Sequence, residues 1–79
     1  MNKQVFYMVL KENQISPNIV NFNGQKEGAF CIKKGQGRWE TFYYERGNKF
    51  DVLSHSTEKE AMIYLLDYIL KMYGKSQGT

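Results

Sequence analysis

The clearest pattern of hydrophobic and polar positions lies near the C-terminus, where apolar residues recur at the three- and four-residue spacing of a helix. This stripe comprises Ala61, Met62, Leu65, Leu66, Ile69, Met72 and Tyr73. Thr57 stands before it with Glu60 three residues later, the signature of a capping box, and Glu58 adds negative charge at the helix start. Lys71 suits the last turn, and Gly74 suits the position after it. The pattern therefore predicts a C-terminal amphipathic helix.

The middle of the chain alternates short apolar runs with glycine-containing turns. The predicted strands are residues 18–22, 29–32, 38–46, and 49 to 53 or 55. The turns between them contain Asn23-Gly24, Gly35-Gln36-Gly37 and Gly47-Asn48. Because consecutive strands joined by short turns normally pair as neighbours, the pattern predicts a four-stranded antiparallel meander.

The N-terminal segment, residues 3–13, fits either a helix or a strand. Val5, Phe6, Val9 and Leu10 fall at helical spacing, but the run from Val5 to Val9 also suits a buried strand. We predict a helix from its length and its polar ending, and Ser16-Pro17 ends whichever element forms. The resulting fold is α+β, with one domain over residues 1–74 and a frayed tail over residues 75–79.

The predicted core combines one face of the sheet with the helix stripe. Its members are Val9, Phe22, Phe30, Ile32, Trp39, Thr41, Tyr43, Val52, Ala61, Leu65, Leu66 and Ile69. The strand over residues 38–46 contributes most, since it holds the one Trp of the chain. This strand is therefore expected at the centre of the sheet.

The residue totals fit a small globular domain of 79 residues, 42% hydrophobic and 15% aromatic. A chain this short buries only somewhat more than about 60% of its unfolded surface, so its stability margin is narrow. The formal net charge of +3 is spread along the chain. Basic residues near the predicted turns could serve an alternative function, nucleic-acid binding. They are Lys33, Lys34, Arg38, Arg46 and Lys49.

The sequence offers no constellation for catalysis. Cys31, the sole cysteine, cannot form an internal disulfide, and it sits in an apolar run typical of a small buried side chain. His55 is the sole histidine, and one Cys with one His cannot complete a zinc site. We therefore predict no enzyme activity, cofactor or metal. Without a leader or a membrane-spanning run, the expected location is the cytoplasm.

Two surfaces are candidates for binding a partner. Strand alternation places Glu40, Phe42, Tyr44 and Arg46 on one face, with Glu45 beside Arg46 at the turn. Arg and Tyr are over-represented at interface hot spots, so these five residues form the predicted partner face. The helix also carries apolar residues beyond its main stripe, which predict a dimer or partner contact unless the N-terminal segment covers them. They include Tyr64, Tyr68 and Leu70.

The segment Trp39-Glu40-Thr41-Phe42-Tyr43-Tyr44-Glu45-Arg46-Gly47 resembles the W-E-V-Y-Y-S-E-R-G motif of a family of small bacterial proteins. In that family an A-Y-C-L strand precedes the motif, as Ala29-Phe30-Cys31-Ile32 does here. A helix opening F-D-S-E-x-E-A-C-x-Y-L-L follows it, matched here by Glu58, Glu60-Ala61 and Tyr64-Leu65-Leu66. Upstream, Ile15, Phe22 and Gly24 match I-P-x-x-x-Y-S-L-x-G, so the likeness covers about residues 15–66.

Members of that family are similar to immunity proteins of polymorphic toxin systems, which bind a cognate toxin and block its active site. The resemblance implies a non-enzymatic protein-binding module that neutralises a bacterial toxin domain. His55 replaces a Phe of the pattern and Met62 replaces a Cys, so the start of the helix should pack differently. Thr41, Phe42 and Tyr44 replace Val, Tyr and Ser. A basic inhibitor would suit an acidic toxin, or a contact driven by aromatic packing.

Overall fold

The computed structural model describes residues 1–74 as two helices and a four-stranded sheet. The elements in chain order are α1 (Lys3–Glu12), a 3₁₀ turn (Pro17–Ile19), β1 (Val20–Asn21), β2 (Ala29–Lys34), β3 (Trp39–Glu45), β4 (Asn48–His55) and α2 (Glu58–Tyr73). The α+β class and the N-terminal helix are confirmed. The tail predicted to be frayed, residues 75–79, lies outside the described residues.

The sheet order is β1-β2-β3-β4, and β2, β3 and β4 pair antiparallel as the sequence predicts. The meander is wrong at its first step, because β1 runs parallel to β2, with Val20 opposite Phe30. Residues 22–28 do not form a tight hairpin. They carry the chain back to the end of the sheet at which β1 begins, so that β2 runs in the same direction as β1. A parallel return is feasible here because β1 has only two residues, so the connection has little distance to cover.

The helix α1 begins at a side-chain cap, where Asn2 Oδ1 accepts a hydrogen bond of 2.9 Å from the Val5 N–H. Phe6 and Leu10, four residues apart, are fully buried, so one face of the helix anchors it to the core. Val5, also an apolar residue, stays 39% exposed. The helical interpretation of residues 3–13 is therefore confirmed by the burial of a single stripe.

The helix α2 forms as predicted, and Thr57 Oγ1 caps it by accepting a 3.1 Å hydrogen bond from the Glu60 N–H. The buried stripe comprises Ala61, Met62, Leu65, Leu66 and Ile69. Met72 and Tyr73, predicted to extend that stripe, are 53% and 50% exposed. Gly74 follows with φ −68°, and a Cβ there would meet the Leu70 carbonyl oxygen at 2.5 Å, so the position is restricted by space.

Both helices contribute to a core against one face of the sheet, here called the inner face. Most predicted core residues are buried or partly buried in it; Val52 is the exception, at 44% exposure. The cause is a bulge, in which Asp51 and Val52 both stand opposite Phe42. Since the extra residue shifts the alternation by one, Leu53 rather than Val52 lies across from Thr41 on the inner face. Cys31 is buried as its apolar run predicts, and Met62 is buried with the helix stripe. The other buried residues outside the predicted core are Phe6, Leu10, Ile15, Val20, Ala29 and Phe42.

The opposite, outer face of the sheet has a smaller buried cluster of Ala29, Cys31 and Phe42. The 22–28 connection lies over it, with the Lys26 carbonyl oxygen 3.8 Å from Cys31 Sγ. Lys49 also covers it, with Nζ 4.7 Å from the centre of the Phe42 ring. Burial raises the pKa of the Cys31 thiol, which therefore behaves as a buried apolar group.

The β3–β4 turn consists of Arg46 and Gly47, with φ values of 53° and 78°, between the paired residues Glu45 and Asn48. Two consecutive positive φ values are those of a type I′ hairpin turn, which favours Asn-Gly. An arginine in the left-handed region is strained because its Cβ crowds the backbone. Backbone preference alone would favour asparagine over arginine at position 46 of this turn.

Replacing Phe6 or Leu10 by alanine should lower the free energy of unfolding by about 2 to 5 kcal/mol, because each change leaves a cavity in the core. Val5→Ala is the matched control on the exposed side of the same helix and should cost under about 1 kcal/mol. Urea denaturation followed by circular dichroism measures both. Equal losses for the buried and exposed positions would contradict the packing of α1.

Arg46→Asn should raise the free energy of unfolding by about 0.5 to 1 kcal/mol, since asparagine tolerates the left-handed conformation better than arginine. Arg38→Asn is the control, because Arg38 has no positive φ and its replacement should bring no such gain. The same urea titration compares them. A less stable Arg46→Asn protein would show that the arginine side chain contributes to folding.

Candidate interaction surfaces

The predicted partner face is built on the outer side of β3. Glu40 and Tyr44 are half-buried there, and Glu40 Oε1 accepts a 3.1 Å hydrogen bond from Lys49 Nζ on β4. Phe42, between them, is only 2% exposed, so it can support this face but cannot touch a partner. Tyr44 packs against the small outer cluster. The structure therefore brings Glu40 and Tyr44 to one surface over a buried phenylalanine.

Arg46 lies exposed at the tip of the β3–β4 turn. Its backbone N–H donates a 2.8 Å hydrogen bond to Glu27 Oε2, and its carbonyl oxygen accepts one of 3.3 Å from Asn48 Nδ2. Within residues 1–74 no ion pair joins Glu45 to Arg46, and Glu45 is half-buried at the end of the strand. The turn backbone is thus fixed from two sides, and Arg46 itself stays exposed.

The basic residues considered for nucleic-acid binding do not form one stripe. Lys33, Arg38 and Lys49 line a groove of about 370 Å³ near the β2–β3 turn, together with Glu40. Lys34 does not line this groove, although its Nζ lies 5.5 Å from the centre of the ring of Trp39, which does. Arg46 is at the far end of β3 from this groove. The groove therefore gathers three of the five predicted cations around one carboxylate.

The three residues predicted as an extra helix face point in two directions. Tyr64 and Tyr68 lie against β4, where the Tyr64 ring is 5.2 Å from the His55 ring and the Tyr68 hydroxyl donates a 2.9 Å hydrogen bond to Asp51 Oδ2. Leu70 is about 200° around the helix from Tyr68 and packs against the main core. Only the two tyrosines therefore share a surface.

The hydrogen bond to Asp51 raises the pKa of the Tyr68 hydroxyl, and partial desolvation acts in the same direction. Asp51 reaches the tyrosine because the bulge holds it at φ 55° and turns its carboxylate toward α2. An irregular backbone position thus creates a specific polar contact between strand and helix.

His55 serves as a structural link between β3, β4 and α2. Its Nε2 lies 2.9 Å from the hydroxyl of Thr41, which is 1% exposed, so the imidazole satisfies a buried polar group. Within residues 1–74, no three of His, Cys, Asp and Glu come close enough to hold a metal ion. The prediction that the protein has no enzyme activity stays a prediction.

A surface that the sequence analysis missed lies along β4. Phe50, Val52 and Leu53 are 47%, 44% and 43% exposed, and in residues 1–74 this strand pairs with β3 alone. The sequence does contain a signal: Val52 and Leu53 are adjacent, and adjacent strand residues face opposite sides, so one covered face cannot bury both. Exposed apolar residues on an open strand edge usually mark a contact surface.

Comparisons with known proteins add no relative. No protein-family model matches the chain, and no similar protein was found among the curated proteins or the solved structures. In residues 1–74 neither helix has both the length and the apolar character needed to cross a bilayer. The immunity-protein resemblance therefore rests on the motif residues alone.

Tyr68→Phe should destabilise the protein by an amount that depends on pH. Because the native pKa of Tyr68 is raised above its unfolded value of about 10, the stabilisation is fully present below that pH and is lost as pH rises through the native pKa. Urea unfolding measures the difference in free energy of unfolding between wild type and Tyr68→Phe. This difference should be smaller at about pH 11 than at about pH 8. Tyr64→Phe, which removes a hydroxyl without this partner, is the control. A pH-independent difference would contradict the Tyr68–Asp51 contact.

Proposed function

We propose that this protein is a non-enzymatic protein-binding module of the immunity type, which neutralises a bacterial toxin domain by covering part of its surface. The observation that carries the proposal is the outer sheet face, which no helix covers within residues 1–74. On it, Glu40 and Tyr44 flank the buried Phe42 along β3, and Arg46 lies at the turn that follows, with Glu45 beside it.

This face is held in place before any partner arrives. The Glu40–Lys49 pair connects β3 with β4, and the carboxylate of Glu27 fixes the backbone of the Arg46 turn. Side chains that are already ordered lose less conformational entropy on binding. Arg46 adds a rigid, exposed guanidinium fork suited to carboxylates. Its strained backbone conformation fits a position selected for contact rather than for turn stability.

Charge indicates the kind of partner. Lys33, Arg38 and Lys49 surround a single acid, Glu40, in the groove near the β2–β3 turn, and Arg46 adds a cation at the opposite end of the face. Complementary potentials increase association rates and select partners. An acidic toxin surface is the partner that this face would favour. The W-E-x-x-Y-x-E-R-G resemblance supports the same function.

The same groove supports a second candidate, a small nucleic-acid-binding protein. Two of its cations, Lys33 and Arg38, have exposed side chains, which could contact phosphates. Against this, Glu40 also lines the groove and already pairs with Lys49, one of the three cations, so the site offers a phosphate backbone fewer unpaired positive charges. A polypeptide, which can present both charges, suits the mixed groove better.

We expect a gene for a toxin domain beside this one; its product should arrest growth when expressed alone, and coexpression of this protein should restore growth. Absence of such a gene would contradict the function. With purified proteins, Tyr44→Ala and Arg46→Asn should each weaken toxin binding at least about tenfold in calorimetry, as loss of a hot-spot contact does. Lys11→Asn, an exposed basic residue on α1, is the control and should bind as wild type does.

Unchanged affinity in both variants would contradict the proposed contact face, and failure to restore growth would contradict the function. Fluorescence anisotropy with short DNA and RNA distinguishes the protein-binding function from the nucleic-acid-binding candidate. Binding at micromolar protein concentration that weakens steeply with salt would favour the nucleic-acid candidate instead.

A further inference from the structure

The sheet has one long open edge. β4 contains eight residues and pairs with β3 on one side only in the part of the chain that the structure describes. The backbone N–H and C=O groups on its other side are therefore available to a further strand. The opposite edge, β1, has only two residues. An added strand would accordingly find most of its partners on β4.

The bulge arranges three side chains of β4 in a row on the inner face. Asp51 contacts Tyr68, Leu53 lies across from Thr41, and His55 contacts both Thr41 and Tyr64. The row borders a groove of about 480 Å³ lined by Asp51, Val52, Leu53, Tyr64 and Tyr68. Leu53 in the middle is 43% exposed. The edge thus presents an acid, an apolar residue and an imidazole at alternate positions.

We propose that β4 pairs antiparallel with β4 of a second copy of this chain, about a two-fold axis at Leu53. The two four-stranded sheets would then form one continuous sheet. In this register Leu53 meets Leu53 of the second copy, and Val52 meets Ser54. Asp51 stands opposite His55 of the second copy. By the two-fold symmetry, His55 likewise stands opposite Asp51 of the second copy.

The charges and hydrogen-bonding atoms of the row select this register. Asp51 uses Oδ2 for Tyr68, which leaves Oδ1 to accept a hydrogen bond. His55 uses Nε2 for Thr41, which leaves Nδ1 as its second hydrogen-bonding atom. In the tautomer in which the Thr41 hydroxyl donates to Nε2, Nδ1 carries the proton and can donate to Asp51. Opposed residues of an antiparallel pair have Cβ atoms about 4.5 to 5.5 Å apart and share a face, so the two groups come within reach.

Neighbouring registers are poorer. Side chains of opposed residues must lie on the same face, so the axis passes through a residue, and the nearest alternative axes lie at Val52 and Ser54. An axis at Val52 sets the Asp51 carboxylate against Leu53 of the second copy, and an axis at Ser54 sets Leu53 against His55. In each of these two registers a polar side chain, Asp51 or His55, faces a leucine and loses the hydrogen-bonding partner that the axis at Leu53 provides. The strand is therefore self-complementary about Leu53, which identifies a second copy as the occupant.

This surface is separate from the outer face proposed for toxin binding, so either proposal can fail without the other. Tyr44 is directed to the outer face and Arg46 sits at the turn, whereas the pairing uses the backbone edge from Asp51 to His55. A small domain with a narrow stability margin also gains from burying Val52 and Leu53 against a copy of itself.

Site-directed cysteine crosslinking tests the register. Opposed residues of an antiparallel pair have Cα atoms about 4.5 to 5.5 Å apart, within the range that a disulfide spans. Leu53→Cys should therefore form a covalent dimer under mild oxidation at least about tenfold faster than Val52→Cys, whose copies lie diagonal to each other. Val52 is the matched control because it is adjacent and equally exposed, at 44% against 43%. The wild-type chain, in which Cys31 is buried, is the blank.

Sedimentation equilibrium tests the association itself. The wild-type chain should be dimeric at high protein concentration, and Asp51→Asn should raise the dissociation constant. Leu53→Arg, which sets two arginines face to face, should be monomeric. Met8→Arg is the control, because Met8 is 52% exposed on α1 and its change should leave the dimer intact.

Several results would overturn the proposal: a wild-type monomer at millimolar concentration, equal crosslinking at positions 52 and 53, or a Leu53→Arg dimer as tight as wild type. Thermal unfolding of each variant verifies its fold. If Leu53→Arg does not fold, the comparison of the two cysteine variants decides the proposal.

Discussion

The fold depends on burial of both faces of the central strand at one point. Thr41 and Phe42 are neighbours on β3 and point to opposite sides of the sheet, yet they are 1% and 2% exposed. On the inner side, Thr41 is covered by the helix core and satisfied by His55. On the outer side no helix of residues 1–74 packs, and the 22–28 connection and the Lys49 side chain cover Phe42 and its neighbours. The chain before β2 thus crosses the outer face, and the same crossing accompanies the parallel pairing of β1 with β2.

The features that the sequence predicted are those specified by local chemistry. The helix α2 has a capping residue and a 3.6-residue apolar period, and the β3–β4 turn has Gly47, so neither depends on distant residues. The direction of β1 could not be read in this way, because Asn23-Gly24 is a hairpin signal locally while the parallel pairing depends on contacts made across the sheet. The bulge at Asp51 was equally invisible, since nothing in the alternation shows that one residue is extra.

The same reason explains the mixed outcome for the contact residues. Alternation correctly separates Glu40, Phe42 and Tyr44 from the inner face, but it cannot tell that other segments bury Phe42. The helical period already separates Leu70 from Tyr64 and Tyr68, and what the sequence cannot show is which flank of the helix faces β4, because that is set by tertiary packing. The open edge follows from the strand order, and strand order is a long-range property.

Backbone strain falls at two positions of the surface formed by β3 and β4, the turn that joins them and the middle of β4. Arg46 and Asp51 each hold a positive φ, although neither is glycine, and each is held by a specific contact, to Glu27 and to Tyr68. Strain that is stabilised by surrounding contacts is typical of positions that place a side chain for recognition. The two proposals assign one strained residue to each surface: Arg46 to the outer face and Asp51 to the edge. Joined at β4, two copies would also set their outer faces side by side in a single sheet, so that one partner with repeated acidic features could engage both, which raises apparent affinity without any new contact within the monomer.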